Sequence, residues 1–352
     1  MTSRILMLNT AMTALVALAV PLQLSAQTYT SFDPPNSIST QTSGITQAGE
    51  ITGFYFDTSF VFHGFLRARN GSFTSFDAPG AGGGSFLGTF PNSINQPGEI
   101  AGSWDDPNFT HGFLRTAKGA IITFDATPTS IFTNVTSINQ GGAITGYWAD
   151  AGIFPFTNCF VRAHDGNITT FNPPGAITSN ALAINNDGVI AGYYVDANFV
   201  FHGFLRAADG TFTTVDAPGA GTGFFQGTAA NAINPAGAIT GVYTDTNGVS
   251  HGFVRVANGT LTSFDPPNSQ NTYPGAINPA GEIAGYFCDS ITCHGFLRAA
   301  KGGITSFDPP GSVFTFETPF NNQVHVGINP AGAITGGYFD QNGNQHGFLR
   351  TP

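Results

Sequence analysis

The chain has 352 residues, of which 46 are glycine and 34 are phenylalanine, while Asp, Glu, Lys and Arg together make up only 9%. A hydrophobic content of 41% predicts a folded chain rather than a disordered one, and the Gly-X-Y period of collagen is absent. The 11 basic residues are outnumbered by 21 acidic ones, and the resulting net charge of −10 argues against binding to nucleic acid or to an anionic membrane.

The N-terminal segment, residues 1–26, has the layout of a secretory signal peptide. Arg4 is followed by the apolar run of residues 14–20, and the segment ends in the small residues Ser25 and Ala26. Nothing later in the sequence is a long enough apolar run to span a membrane. We therefore expect a secreted protein, extracellular or periplasmic, whose residues 27–352 form a single domain without membrane insertion.

Three short strings repeat along the mature chain. His-Gly-Phe-Leu-Arg, or a close variant, occurs seven times at intervals of 43 to 52 residues, a period typical of a four-stranded propeller blade. Ile-Asn-x-x-Gly-x-Ile-x-Gly also occurs seven times. The third string, Phe-Asp-x-Pro, is displaced: its first copy at Phe32 precedes every other repeat element, and the last repeat, ending at Pro352, lacks one.

This displacement predicts ring closure, because an N-terminal strand can complete a C-terminal blade and remove its exposed edge. We therefore predict an all-β fold: a seven-bladed β-propeller of four-stranded antiparallel blades, closed by the N-terminal strand. A β-solenoid with capped terminal repeats is the alternative.

One repeat illustrates the expected blade. Its strands are a (residues 181–185), b (189–195), c (202–207) and d (211–216), and three-residue hairpins ending in Gly188 and Gly210 join a to b and c to d. This register places His202 opposite Asp216. The same interval of 14 residues separates the other His–Asp pairs: His63 and Asp77, His111 and Asp125, His251 and Asp265, His294 and Asp308. Ring closure would add His346 with Asp33.

A His beside an Asp is also part of catalytic triads and metal sites. Since the pair recurs in nearly every repeat, we interpret it as a structural contact. The degenerate repeat changes both members, to Asn158 and Asn172, which indicates that the two positions touch. The arginine that ends each string is also expected to be part of the scaffold, stacked on an aromatic ring or paired within the blade.

Length variation is concentrated in the b–c and d–a connections, which leave a propeller on the same face. We call this face the variable rim and expect it to carry binding, because loops on a rigid scaffold can diverge without disturbing the core. At this rim, strand b ends in a three-residue pattern: an aromatic residue, a residue of any type, and Asp. The candidate binding residues of this pattern are Trp104, Asp106, Trp148, Asp150, Tyr194, Asp196, Tyr243, Asp245, Tyr338 and Asp340. The alternative is that each Asp only begins the b–c turn.

The long connection between residues 311 and 327 lies outside the repeat. It carries Glu317 and His325, weak candidates for a catalytic acid and base. No nucleophile motif accompanies them, and a loop that packs its own aromatic residues is the simpler interpretation.

Cys288 and Cys293 flank a short turn and are close enough for a cross-strand disulfide in an oxidising compartment; two small buried hydrophobic residues are the alternative. Cys159 has no partner in sequence. No phosphate-binding, hydrolase or metalloprotease motif is present, so we predict no cofactor and no metal.

The recurring Gly-x-Ile-x-Gly and His-Gly-Phe-Leu strings resemble the bacterial HAF-type extracellular repeats, named for a His-Ala-Phe core, over residues 28–352. This chain has Gly where that core has Ala. The resemblance implies secretion and repetition, and it implies no catalytic residues.

The sequence thus favours a secreted, monomeric binding or scaffold propeller for an extracellular glycan or protein. The alternatives are a propeller hydrolase or lyase that acts on extracellular polysaccharide, and a purely structural envelope protein.

Overall fold

The computed structural model describes residues 27–315 and 325–352, and the predicted signal peptide lies outside them. These residues form β-strands joined by turns, with no helix among them, and hence no helix that could cross a membrane. The first strands are β1 (Thr28–Phe32), β2 (Ser39–Ile45), β3 (Ile51–Phe56), β4 (Phe62–Arg67), β5 (Phe73–Phe76), β6 (Gly88–Ile94), β7 (Ile100–Asp105), β8 (Thr110–Arg115), β9 (Ile121–Phe124), β10 (Ser130–Ile138), β11 (Ile144–Asp150), β12 (Asn158–Arg162), β13 (Ile168–Phe171) and β14 (Thr178–Ile184). The remaining strands are β15 (Ile190–Val195), β16 (Phe201–Arg206), β17 (Phe212–Val215), β18 (Gly227–Ile233), β19 (Ile239–Thr244), β20 (Ser250–Arg255), β21 (Leu261–Phe264), β22 (Asn271–Ile277), β23 (Ile283–Cys288), β24 (Cys293–Arg298), β25 (Ile304–Phe307), β26 (Ser312–Thr315), β27 (Gly327–Ile328), β28 (Ile334–Asp340) and β29 (Gln345–Thr351).

Each sequence repeat folds into an antiparallel unit in which strands a, b, c and d pair in order. Unit 1 contains β2–β5, and units 2 to 6 follow in steps of four strands to β22–β25. In the last repeat, β26 and β27 both pair with β28, β28 pairs with β29, and β29 pairs with β1. In the β1–β29 register, Ser31 lies opposite Phe348 and Tyr29 opposite Arg350, as the predicted pair of Asp33 with His346 requires.

The hairpins have the predicted turn geometry. Gly188 and Gly210 adopt φ of +75° and +94°, which a residue with a Cβ rarely does. Within the c–d hairpin, Phe204 lies opposite Thr214 and Arg206 opposite Phe212, as the predicted pair of His202 with Asp216 requires. Strand a of this repeat begins at Thr178, three residues earlier than predicted, because its first residues already pair with the end of strand b. The turns therefore determine the register within each unit.

Strand a carries a bulge, and the facing position of strand b has room only for glycine. In unit 4 the a–b register shifts between Ala181 and Ala183. A Cβ on Gly192 of the facing strand would overlap the backbone carbonyl oxygen of Asn180. The equivalent glycines make the same close approach: Gly53, Gly102, Gly146, Gly241 and Gly285. The second glycine of the Gly-x-Ile-x-Gly string is therefore required by sterics.

The core lies between the sheets of successive units. The phenylalanine of each His-Gly-Phe-Leu-Arg string and the first isoleucine of each strand b are almost completely buried, and they form clusters with residues of the neighbouring repeat. Phe32 of β1, for example, packs with Ile51 and Phe65 of unit 1. Because no unit buries its apolar face alone, stability depends on neighbouring units.

Polar contacts also join neighbouring units. The guanidinium of the motif arginine lies over the strand-d phenylalanine of the preceding repeat, as with Arg115 over Phe76 at 4.9 Å and Arg67 over Phe32 at 4.7 Å. Arg255 has no such contact among the described residues, because the preceding repeat has Val215 in place of the strand-d phenylalanine. The a–b turns are joined by asparagine side chains; Asn139 Nδ2, for instance, donates to the carbonyl oxygen of Asn185 at 3.0 Å.

Candidate functional site

The predicted His–Asp pairs are in contact and include a second carboxylate. The Nδ1 atoms of the six histidines lie 2.7–3.1 Å from the strand-d aspartates and, for His346, from Asp33. On the other side of each ring, Nε2 lies 3.5–3.8 Å from the Asp that ends strand b. Each imidazole is therefore held between two carboxylates, and the arrangement recurs in every unit except the third.

The aromatic residues of strand b pack against the ring faces of these histidines. The ring of Trp104 stacks on His111 at 4.2 Å between centroids, and those of Tyr194 and Tyr243 stack on their histidines at 5.0 Å. Tyr338 lies 5.3 Å from His346. Trp104, Tyr243 and Tyr338 are also buried. Ring faces occupied in this way are not free to stack on a sugar, so the geometry favours a structural role for these four residues. Trp148 lies in unit 3, where Asn158 stands in place of the histidine.

The Asp residues at the end of strand b cap the turn that follows. Asp340 Oδ1 accepts the backbone N–H groups of Asn342 and Asn344 at 2.8 and 2.9 Å. These hydrogen bonds stabilise the charged carboxylate and lower the pKa of Asp340 from 3.8 to about 2. Backbone N–H donors also lower the pKa of Asp57, Asp106, Asp196, Asp245 and Asp289. Asp150 caps its turn through Gly152 in the same way.

This capping predicts acid-sensitive stability. A carboxyl group whose pKa is lower in the folded state contributes stability above its unfolded pKa and loses it as the pH falls toward the folded value. We expect the melting temperature to be level near pH 5 and to fall between about pH 4 and pH 2, the window defined by Asp340. Thermal melts across this range test the prediction, and Asp340→Asn, which keeps an acceptor but does not titrate, should flatten the decline. An unchanged profile in this variant would contradict it.

Unit 3 lacks the His–Asp contact. Asn172 accepts a hydrogen bond from the Ser179 hydroxyl, a role that Asp33, Asp265 and Asp308 play for a threonine in their repeats. No hydrogen bond joins Asn158 to Asn172 in the described part of the chain. Within the same residues, no group of three or more His, Cys, Asp or Glu side chains is arranged to hold a metal ion.

The cysteines are placed as follows. Cys288 and Cys293, directly opposite each other on β23 and β24, form a disulfide. Cys159 is a buried free thiol, and its burial raises its pKa to about 12, so it is not a reactive thiolate at neutral pH.

A cavity of about 610 Å³ opens at the variable rim between units 1, 2, 3 and the last repeat. Its wall contains the start of strand a, the end of strand b and the connections that meet there. The phenylalanines that line it are Phe54, Phe56, Phe62, Phe86, Phe90, Phe132 and Phe339. The rings pack edge to face or tilted, with Phe62 and Phe90 4.6 Å apart between centroids. This cavity is the concave, largely apolar surface expected of a small-molecule site.

Two ionisable side chains line this cavity. His325 packs its ring against Phe54 at 5.8 Å, and burial lowers its pKa to about 4, so that the imidazole is neutral at neutral pH. Asp105 lies at the end of β7, and burial raises the pKa of its carboxyl group. Glu317, the predicted partner of His325, lies outside the described residues, so an acid–base role for the two remains a prediction.

Four partly exposed phenylalanines near the rim have unusual backbone conformations. Phe60, Phe86, Phe199 and Phe225 have φ between +58° and +65°, a region that bulky residues rarely enter. They form two equivalent pairs, in which Phe86 N–H donates to the Phe60 carbonyl and Phe225 N–H to the Phe199 carbonyl. Phe86 is 66% exposed and Phe225 is 55% exposed. Because these rings are exposed, burial of the side chain does not offset the backbone strain. Strained backbone conformations of this kind cluster at binding and active sites.

Apart from His325, sequence reasoning missed the cavity residues, although one of them leaves a signal. Asp105 occupies the variable position between the strand-b aromatic and the capping Asp. The equivalent positions carry no charge in any other repeat: Phe56, Ala149, Val195, Thr244, Cys288 and Phe339. Comparing the repeats position by position would have identified Asp105. The phenylalanines carry no such signal because phenylalanine is abundant throughout the chain.

No protein-family model and no curated protein sequence matches this chain. Solved structures do. A streptogramin B lyase structure is 14% identical, with a TM-score of 0.58, over 93% of this chain and 98% of that one. A catalytically inactive virginiamycin B lyase from Staphylococcus aureus, solved with quinupristin, is 15% identical, with a TM-score of 0.61, over 93% of this chain and all of the other.

The β-propeller domain of the trilobed protease from Pyrococcus furiosus is 7% identical, with a TM-score of 0.59, over 89% of this chain and 94% of that one. At such low identities these similarities concern the fold alone. This chain is an all-β protein whose structural neighbours are β-propellers.

Proposed function

We propose that this chain is a secreted seven-bladed propeller that binds a ligand at the variable rim. The observation that carries the proposal is the phenylalanine-lined cavity of about 610 Å³. This volume is within the range of small-molecule pockets, roughly 300–1,000 Å³. Its concave, largely apolar wall favours a small molecule with an apolar body over the glycan or protein expected from the sequence.

Contacts between the first and last repeats support the closed ring. β1 takes the strand-d position beside β29, and Ser39 of unit 1 forms a parallel bridge with Gln345. Asn329 Nδ2 donates to the carbonyl oxygen of Thr46 at 3.2 Å, continuing the asparagine contacts between a–b turns. With the strand in this position, the last repeat has the four strands of the others. The repeat strings also support a second proposal, that the chain is a divergent HAF-type extracellular protein.

The test is binding of a neutral aromatic probe, N-phenyl-1-naphthylamine, whose fluorescence rises in an apolar site. Phe86→Asn should weaken probe binding about five- to tenfold, since an aromatic contact contributes roughly 1 kcal/mol. The melting temperature should stay level or rise, because Asn tolerates the left-handed conformation that strains Phe86.

Phe225→Asn is the matched control. Phe225 has the same backbone conformation and similar exposure, but it does not line this cavity. It should leave probe binding in the cavity unchanged. Equal probe affinity in the wild type and Phe86→Asn would contradict the proposal, as would binding of a glycan or protein that is insensitive to Phe86→Asn.

A further inference from the structure

The polar groups of the rim cavity include two hydrogen-bond acceptors set among phenylalanine rings. They are the carboxylate of Asp105 and the side-chain oxygen of Asn134, on neighbouring strands β7 and β10. Asn134 is only 6% exposed, and its Oδ1 has no hydrogen-bond partner among residues 27–315 and 325–352. A buried acceptor without a partner costs about 1–3 kcal/mol. Its presence in the cavity wall therefore points to a donor that a ligand supplies.

The next repeat shows how the same position is satisfied outside this cavity. Asn180 occupies the position of Asn134 in unit 4. Its Oδ1 accepts a hydrogen bond from the Thr157 hydroxyl at 2.7 Å, and its Nδ2 donates to the Tyr193 hydroxyl at 2.8 Å. Thr157 precedes strand c of unit 3, and Thr110 is its counterpart in unit 2. A threonine donor is thus available beside both asparagines.

Asp105 lies near the threonine that corresponds to the donor of Asn180. Thr110 partly opposes the rise in the pKa of the Asp105 carboxyl group that burial causes, and Asp105 is the only ionisable residue at this position of the repeat. Thr110 also forms the parallel bridge with Phe132, two residues before Asn134. The cavity wall therefore contains both an additional carboxylate, that of Asp105, and the amide oxygen of Asn134, which has no hydrogen-bond partner among the described residues.

The surroundings favour a positively charged donor. An ammonium group can donate to both oxygens, and phenylalanine faces attract cations by roughly 0.5–2 kcal/mol, most strongly where water is excluded. The net charge of −10 also raises the local concentration of cations. A neutral apolar ligand would leave the Asn134 oxygen without a donor and the Asp105 carboxylate without a counterion.

We propose that this cavity binds a small organic cation: a primary or secondary ammonium group on an aromatic or alkyl body. The ammonium donates to Asp105 and Asn134, and the apolar body packs among Phe54, Phe62, Phe86 and Phe90. This inference rests on the proposed binding function and specifies its ligand class.

The test compares two probes of the same shape, 1-naphthylmethylamine and 1-naphthalenemethanol, by equilibrium dialysis at pH 7. The amine is charged, whereas the alcohol is neutral. We expect the amine to bind at least about tenfold more tightly, since hydrogen bonds to charged groups contribute about 1.5–3 kcal/mol. Asp105→Asn should remove this preference by weakening amine binding about tenfold while changing alcohol binding less than about twofold.

Two controls separate a site from a general charge effect. Asp187→Asn makes the same change in net charge in an a–b turn, away from the rim, and should preserve the preference for the amine. Asn134→Leu should weaken both probes, because each can donate to Asn134. Asp105→Asn removes a charge whose burial is unfavourable, so this variant should melt at or above the wild-type temperature, which checks that it is folded.

Equal affinity of the wild type for the two probes would overturn the cation assignment and leave the binding function standing. A preference for the amine that Asp105→Asn retains would also overturn it, since the cation would then bind elsewhere. If neither probe binds while N-phenyl-1-naphthylamine does so in a Phe86-dependent way, the cation assignment fails alone. If N-phenyl-1-naphthylamine also fails to bind, the proposed function fails with it.

Discussion

Removing residues 27–35, so that the chain begins at Asn36, is expected to lower the free energy of unfolding by more than about 5 kcal/mol. The deletion removes β1, which pairs with β29 over five residues. It also removes Phe32, which is buried in the core beneath Arg67, and Asp33, which lies 2.7 Å from His346. Loss of a buried phenylalanine side chain alone costs about 3–5 kcal/mol. Calorimetric unfolding should show a lower and broader transition than in a chain that begins at Gln27.

A point substitution provides a milder form of the same test. Phe32→Ala should cost about 3–5 kcal/mol, because it leaves a cavity where β1 packs on unit 1. Phe224→Ala removes the same ring from a residue that is 65% exposed, and it should change stability by about 0.5 kcal/mol or less. If the chain from Asn36 melted like the longer one, closure by β1 would be refuted.

Gly192→Ala is expected to destabilise the protein by about 3 kcal/mol or more, the upper end of overpacking effects. The added Cβ would overlap the carbonyl oxygen of Asn180, and it would lie 2.9 Å from the Phe204 ring. Neither neighbour can move freely, since the oxygen belongs to the backbone of β14 and Phe204 is fully buried. Urea denaturation of the variant measures the loss.

Gly303→Ala is the matched control for this substitution. It adds the same methyl group where nothing lies within 4 Å of the new Cβ, at a glycine without a positive φ. The control should be neutral or slightly stabilising, since alanine restricts the unfolded chain. Similar losses in the two variants would show that the close approach on strand b is not what requires glycine.

Most contacts within one repeat were predictable from the sequence. The c–d hairpin is short and its turn type defines the register, so the pairing of Phe204 with Thr214 follows from the position of Gly210. The same local reasoning placed His63 beside Asp77 and predicted the disulfide of Cys288 with Cys293. It did not reveal that a second carboxylate, Asp57, lies on the other side of His63. That contact depends on how the b–c turn folds back over the sheet.

The candidate site was harder to predict because it is assembled from several repeats. The sequence indicated the variable rim through its loop lengths, but it directed attention to the strand-b aromatics, such as Trp104. In the structure, Trp104 is stacked on His111, and the cavity is instead lined by phenylalanines such as Phe62 and Phe90. Which aromatic faces stay open depends on how neighbouring sheets pack, and a repeated pattern does not contain that information.

The sequence by itself determined the repeat, the turns, the pairing within hairpins and the strand supplied by residues 28–32, because these depend on local spacing and on the alternation of side chains across a strand. Only the tertiary structure decided which side chains of different repeats meet. Thr157 donates to Asn180, whereas the equivalent Asn134 has no hydrogen-bond partner for its side-chain oxygen among the described residues. The physical reason is that a hydrogen bond between repeats depends on the distances between strands that are far apart in sequence, and the pattern of a single repeat does not contain those distances.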